Sequence, residues 1–207
     1  MADKAPFIVG MGGTGKSNSS SEVILRQVLD KCAEQGAETI MFDGASLNMP
    51  MYAPDIEERS AQATALIDAL RRADGIVICS PGYHGTVSGL IKNALDYVQD
   101  MAKDERVYFE GRAVGLIAVA AGWQATGTTL ATLRSITHAL RGWPTPMAVA
   151  VNSMMPIFDE NKRLTDKGVS AQLDVVAEQV VTFARMRALH ELAKATHGDE
   201  EWGDKAS

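Results

Sequence analysis

The stretch SPGYHGTVSGLIKNALDY, residues 80–97, decides the fold, because it joins an apolar run to a helix through a loop rich in glycine and planar side chains. Ahead of it lies ADGIVIC, residues 73–79, a short aliphatic run of the kind buried in parallel sheets. Pro81 and Gly82 break that run. Gly82 and Gly85 let the backbone approach a ligand closely, and Tyr83 and His84 offer planar faces. A loop past the carboxyl end of a strand is where open α/β sheets bind their ligands. The same residues also read as a plain turn into a helix, with nothing bound.

Outward from this stretch, short aliphatic runs alternate with longer segments of helical period. Strands are expected at 6–10, 38–43, 75–80, 113–120 and 147–151, and helices at about 19–35, 57–73, 87–101, 127–141 and 167–196. Ile24, Val28 and Cys32, beside Leu25 and Leu29, form one i, i+4 stripe; Leu173, Val176, Val180 and Phe183 form another. Such alternation implies right-handed crossovers and a parallel sheet covered on both faces, hence a flavodoxin-like three-layer α/β sandwich with a five-stranded parallel sheet. The irregular segments 44–56 and 152–165 read as site or interface loops.

At 207 residues and 46% hydrophobic content, the chain fits a single domain spanning 1–207, with 196–207 as a tail. MADKAPFIVG lacks a basic segment followed by a long apolar run, and no later stretch reaches the roughly 18 apolar residues of a membrane span. A soluble, cytoplasmic protein is expected. A net charge of −6 argues against nucleic acid, whose phosphates call for a basic face. Cys32 and Cys79 are far apart and read as buried reduced thiols. His138, His190 and His197 lack metal-site spacing, so no metal is expected. Arg134 and Arg141 read as solvated helix charge or as partners for a nucleotide phosphate.

GMGGTGKSNSSSE, residues 10–22, follows the first strand and opens the first helix, a setting in which backbone N–H groups and the helix dipole favour an anion. Gly10 to Ser17 satisfies G-x-x-x-x-G-K-S, the phosphate loop of nucleoside triphosphatases. Only Asp43 offers itself as the metal-holding partner that such an enzyme needs. In a second register, Thr14, Lys16, Ser19 and Ser21 place hydroxyls and one cation around a single terminal phosphate. A serine-rich helix cap is a third reading.

With both loops in hand, the sequence resembles the NAD(P)H-dependent FMN reductase family, the flavodoxin-like group that includes quinone, azo-dye and chromate reductases. The likeness runs from about residue 6 to 185. The family's first loop, G-S-x-R-x-x-S-x-S/T, is met by Gly13, Thr14, Lys16, Ser19 and Ser21, with Lys in place of the bidentate Arg. Its flavin loop is met by Pro81, Tyr83, Gly89, Lys92, Asn93, Asp96 and Tyr97, and departs at Gly82, His84, Thr86 and Ser88. LNMPMYAPDIEER, residues 47–59, is similar to a segment after the second strand, through Pro50, Tyr52, Pro54 and Asp55. AGWQATG, residues 121–127, matches a glycine-rich loop.

The resemblance implies FMN held by Gly13, Thr14, Lys16, Ser19, Ser20 and Ser21, by Pro81, Gly82, Tyr83, His84, Gly85 and Thr86, and by Gly122, Trp123 and Gly127. Backbone N–H groups of 82–86 and 122–127 are the expected donors to the ring. NADPH or NADH is the implied co-substrate, giving hydride to the flavin for a small acceptor such as free FMN or a quinone. No catalytic side chain is required; His84 is the one candidate for a general acid, beside its reading as a wall or donor. The implied partners are these small molecules, a flavin-dependent monooxygenase receiving reduced FMN, and further copies of the chain in a homodimer or homotetramer, with the 87–101 helix as interface candidate. A flavodoxin-type electron carrier and a P-loop nucleotide hydrolase are the alternative functions.

Overall fold

A computed structural model describes residues 4–197. In chain order the elements are β1 (Phe7–Gly12), α1 (Ser20–Glu34), β2 (Glu38–Phe42), α2 (Ala61–Arg72), β3 (Gly75–Tyr83), β4 (Thr86–Val87), α3 (Gly89–Asp96), a 3₁₀ turn (Tyr97–Met101), β5 (Ala113–Ala120), α4 (Trp123–Ala139), β6 (Trp143–Asn152) and α5 (Lys167–His197). The sheet order is β2-β1-β3-β5-β6, all parallel, and β4 pairs antiparallel with the end of β3. This is the doubly wound order of flavodoxin-like folds, with the chain reversing direction across the sheet between β1 and β3.

Alternation along each strand fills two cores. On one face Ile8, Val77, Cys79, Ile117 and Val149 meet Val28 of α1 and Val176 and Val180 of α5. On the other, Val9, Met11, Ile76, Ile78 and Leu116 meet Leu66 and Leu70 of α2, Ile91 of α3 and Leu133 of α4. Each such aliphatic side chain contributes about 1.5–3 kcal/mol through burial. Serine hydroxyls start three helices: Ser19 accepts from Glu22 N at 3.3 Å, Ser60 from Ala63 N at 3.2 Å and Ser88 from Ile91 N at 3.2 Å.

The expected elements are all present, with differences at several ends: α2 begins at Ala61 rather than 57, the expected 87–101 helix divides into α3 and the 3₁₀ turn, and the short strand β4 is additional. β3 does not stop at Pro81 and Gly82 but runs on to Tyr83. Its pairing with β1 ends at Cys79, so at Pro81 only β5 adjoins it and a residue without an N–H is tolerated. α4 begins at Trp123, so most of the expected 121–127 loop is helix. β6 begins at Trp143 rather than 147, because it is an edge strand and accommodates Pro144 and Pro146 at a register shift. The tail assigned to 196–207 lies outside the described residues beyond His197. No described helix is long and apolar enough to cross a membrane.

Arg112 is the largest fully buried side chain. Its Nε donates to Ala73 O at 2.9 Å, Nη2 to Arg71 O at 2.9 Å and Nη1 to Tyr108 O at 2.9 Å. It thus satisfies the carbonyls at the carboxyl end of α2 and ties them to the start of β5. Burial, with the Arg106 charge second, pulls its pKa down to about 10, so the group stays charged at neutral pH. Arg112→Met strands these acceptors and is expected to cost about 2–4 kcal/mol. Melting should drop by about 5–15 °C, and Arg112→Lys should recover only part of it, as followed by calorimetry.

Candidate functional site

Every parallel strand ends on one edge of the sheet, and the loops there form a groove of about 440 Å³. Thr14, Lys16, Ser19, Ser20 and Ser21 make one wall, Pro81, Gly82 and Tyr83 a second, and Val119, Ala120 and Ala121 a third, with Ser153 and Lys162 closing the end.

Gly10 lies within β1, buried between β2 and β3, so the nucleotide-hydrolase pattern Gly10 to Ser17 does not form a phosphate loop. Its would-be metal partner Asp43 instead accepts from Ala45 N at 3.1 Å, Ser46 N at 2.9 Å and Ser46 Oγ at 2.7 Å. Those bonds, led by the Ser46 hydroxyl, hold its carboxyl below the usual range. The turn they form presses Gly44 against the first loop: a Cβ on Gly44 would overlap the Thr14 carbonyl.

That contact shapes the cradle. Thr14 Oγ1 accepts from Lys16 N at 3.0 Å, and Asn18, at φ 53°, gives its N–H to Glu22 Oε2 at 2.9 Å. Arg26 neutralises Glu22 at 2.9 Å. The hydroxyls of Ser19 and Ser21 stand 3.3 Å apart. Among the described residues the amides of Ser20 and Ser21 have no acceptor and Lys16 has no carboxylate partner. Hydroxyl donors, free amides at a helix start and an unpaired ammonium are the chemistry that receives a phosphate monoester. Gly13 lies beneath the loop against Gly44.

The second wall is a hairpin. His84 at φ 50° and Gly85 at φ 86° form a two-residue turn between β3 and β4, the signature of a type I′ connection. Ser80 Oγ accepts from Ser88 N at 3.2 Å and closes its base. Thr129 of α4 donates to Thr86 O at 3.3 Å, and a Cβ on Gly82 would meet Thr129 Oγ1 at 2.7 Å. Gly82 therefore answers to the approach of α4 as well as to the groove. His84, Gly85 and Thr86 lie at the exposed hairpin tip and do not line the groove.

At the third wall Asn152 Oδ1 accepts from Gly122 N at 3.1 Å and Met154 N at 3.0 Å. The Gly122 N–H expected to face a ligand is thus engaged within the chain. Gly122 precedes α4 at φ 118° with no side-chain cap, which leaves first-turn amides of the helix as the donors next to Ala121. Trp123 is 62% exposed at that helix start, and Gly127 lies on the exposed face of α4; neither lines the groove.

The other motif residues brace the site. Asn93 accepts from Tyr52 N at 2.8 Å and donates to Pro50 O at 2.9 Å, and Tyr97 OH donates to Pro50 O at 3.1 Å. Arg59 pairs with Asp100 at 2.7 Å and lies 5.0 Å from the Tyr52 ring. The two motifs thus hold each other. Arg134 donates to Thr145 O and Pro146 O near the start of β6, and Arg141 pairs with Glu110. Both sit toward the opposite edge of the sheet, away from the groove. Cys32 and Cys79 are buried free thiols, and desolvation pushes Cys32 up to about 12. Lys162 and Ser153 escaped the sequence reading; the 152–165 loop was visible, but nothing local marked which side chain turns back to the groove.

A family profile described as NADPH-dependent FMN reductase matches residues 6–155. The chain is 30% identical over 116 residues to an NADPH azoreductase of Bacillus sp. (strain OY1-2), spanning 56% of this chain and 59% of that one. It is 26% identical over 178 residues to an FMN-dependent NADPH-azoreductase of Staphylococcus aureus (strain USA300), spanning 83% and 91%. Among solved structures, the flavoenzyme NAD(P)H:(acceptor) oxidoreductase FerB of Paracoccus denitrificans superposes with a TM-score of 0.71 at 19% identity, covering 88% of this chain and 99% of FerB, which shows a shared fold.

Position 84 needs a left-handed backbone, which Asn adopts more readily than His. His84→Asn is expected to hold or raise stability by up to about 0.5 kcal/mol, and the β-branched His84→Val to lower it by about 1–2 kcal/mol, as read from urea unfolding midpoints.

Proposed function

The chain belongs to the NADPH-dependent FMN reductase family, a group of NAD(P)H-dependent flavin oxidoreductases, and we propose that its groove holds FMN with the phosphate in the Thr14–Ser21 cradle. The observation that carries this is the donor set of the cradle: Lys16 without a carboxylate partner among the described residues, the Ser19 and Ser21 hydroxyls, and the free amides of Ser20 and Ser21. A dianionic phosphate supplies the acceptors these groups lack.

Bound FMN supplies the two-electron chemistry that links a nicotinamide to an acceptor. The protein's part is placement. Pro81, Gly82 and Tyr83 offer a backbone edge on one side of the ring, Ala120, Ala121 and the first turn of α4 on the other. The partial positive charge at that helix start favours negative charge on the ring, as in other anion-stabilising sites. Tyr83, in the groove wall and 51% exposed, gives a stacking surface for a flat acceptor. His84, at the hairpin tip with no hydrogen bond among the described residues, is not needed as an acid.

The relatives named as azoreductases support azo compounds, beside quinones and free FMN, as the acceptor class. Transfer of reduced FMN to a monooxygenase is the reading for a weakly held cofactor. Oligomerisation forms part of the same proposal. α3 buries half of its residues and shows a Lys92–Asp96 ion pair, whereas Met51, Ile56 and Met154 expose large apolar surface on loops past the strand ends, with Trp123 beside them at the start of α4. Those loops are the better interface than α3.

Purified protein is expected to quench FMN fluorescence stoichiometrically, and anaerobic NADPH to bleach the bound absorbance. Lys16→Ala should weaken FMN roughly 10- to 100-fold, the loss of a charged hydrogen bond. Protein that neither binds FMN nor permits bleaching contradicts the proposal.

A further inference from the structure

We propose that Lys162 is a second cation of the phosphate cradle, carried in from the loop between β6 and α5 to grip a phosphate monoester together with Lys16. This rests on the reading of the groove as the FMN site.

Lys162 is remote in sequence from the first loop, yet its Nζ donates to Asn18 O at 2.7 Å and it lines the groove with Thr14, Lys16 and Ser19 to Ser21. The tip that carries it is tightly built. Asp159 Oδ1 accepts from Asn161 N at 2.9 Å and Arg163 N at 2.8 Å, Asp159 N donates to Arg163 O at 2.9 Å, and Lys162 N donates to Asp159 O at 3.0 Å. A bridge between Phe158 and Leu164 and the buried Ile157 fix its base. This turn forces Lys162 to φ 57°. Glycine or asparagine would hold that backbone at lower cost, so backbone preference does not account for a lysine there.

Charge does. Among the described residues Lys162 forms no ion pair, although Asp159 and Glu160 are its near neighbours in sequence. The first loop has one lysine where a guanidinium would bring two parallel donors, and a second ammonium from another loop restores a two-point grip. Glu22, the carboxylate nearest the cradle in the chain, is already neutralised by Arg26. Two ammonium groups facing one groove repel each other until an anion lies between them.

The test compares wild type with Lys162→Met and Lys162→Arg. FMN and riboflavin share the ring and differ in the phosphate, so their dissociation constants are measured by fluorescence quenching. Lys162→Met is expected to weaken FMN about 5- to 30-fold and leave riboflavin within twofold, with Lys162→Arg close to wild type. Equal losses for FMN and riboflavin mean that Lys162 only ties its loop to Asn18, and overturn the proposal. An unchanged FMN constant overturns it too. A raised KM for NADPH with KM for NADH and FMN binding unchanged assigns the lysine to the nicotinamide nucleotide's phosphate and overturns its place in the cradle. Inorganic phosphate provides an arm free of flavin: it should raise the melting temperature of wild type more than that of Lys162→Met. If wild type binds no FMN, the functional reading fails, and this phosphate arm alone decides the role of Lys162; an equal rise in both proteins overturns it.

Discussion

The backbone of Gly44 rests against the carbonyl of Thr14 with no room for a side chain between them. β1 and β2 are hydrogen-bonded neighbours, so the loops that leave them are brought together whether or not they fit. They fit because Asp43 draws in the Ala45 and Ser46 amides and curls the second loop into a tight turn, and because Gly13 and Gly44 remove the side chains at the crossing. From that contact the first loop takes its height above the sheet and the start of α1 its exposure.

The hairpin wall is fixed by a separate set of ties. Ser80 and Ser88 close its base, Thr129 pins its return strand, and Gly82 lets α4 come close enough to do so. Asn152 joins the ends of β5 and β6 through the Gly122 and Met154 amides. Polar side chains thus spend their hydrogen bonds on aligning loops, while the cradle keeps donors unspent. The braced loops and the first loop differ in that contrast. The exposed apolar side chains divide in the same way: Met51, Tyr83, Trp123 and Met154 lie at or after strand ends at the groove edge, and Trp143 and Met186 lie together at the opposite edge.

Much of this was readable in the chain. Buried parallel strands need aliphatic runs, and the runs at 6–10, 75–80 and 113–120 lie within or beside β1, β3 and β5. The first-loop residues stand out as hydroxyls and a lysine at fixed spacing after a strand, and Thr14, Lys16 and Ser19 to Ser21 do come together on one wall of the groove. The hairpin was hidden by Pro81, which normally ends a strand; only the early end of β1 pairing makes it harmless. Likewise Pro144 and Pro146 concealed the first half of an edge strand. Asn93 and Tyr97 match the flavin-loop motif, and what they hold is Pro50, a distinction of direction that a linear pattern does not carry. Lys162 was illegible since its reach to Asn18 depends on a left-handed tip and a long-range packing arrangement.

The measurement that bears most directly on the cradle as the phosphate site is amide hydrogen exchange with and without FMN, with riboflavin as the control. Exchange should slow at Gly15 to Ser21 with FMN and not with riboflavin, while Gly82, Tyr83 and Ala121 slow with both. Unchanged exchange at Gly15 to Ser21, with slowing instead around Trp143 and Phe183 at the opposite edge, would contradict it.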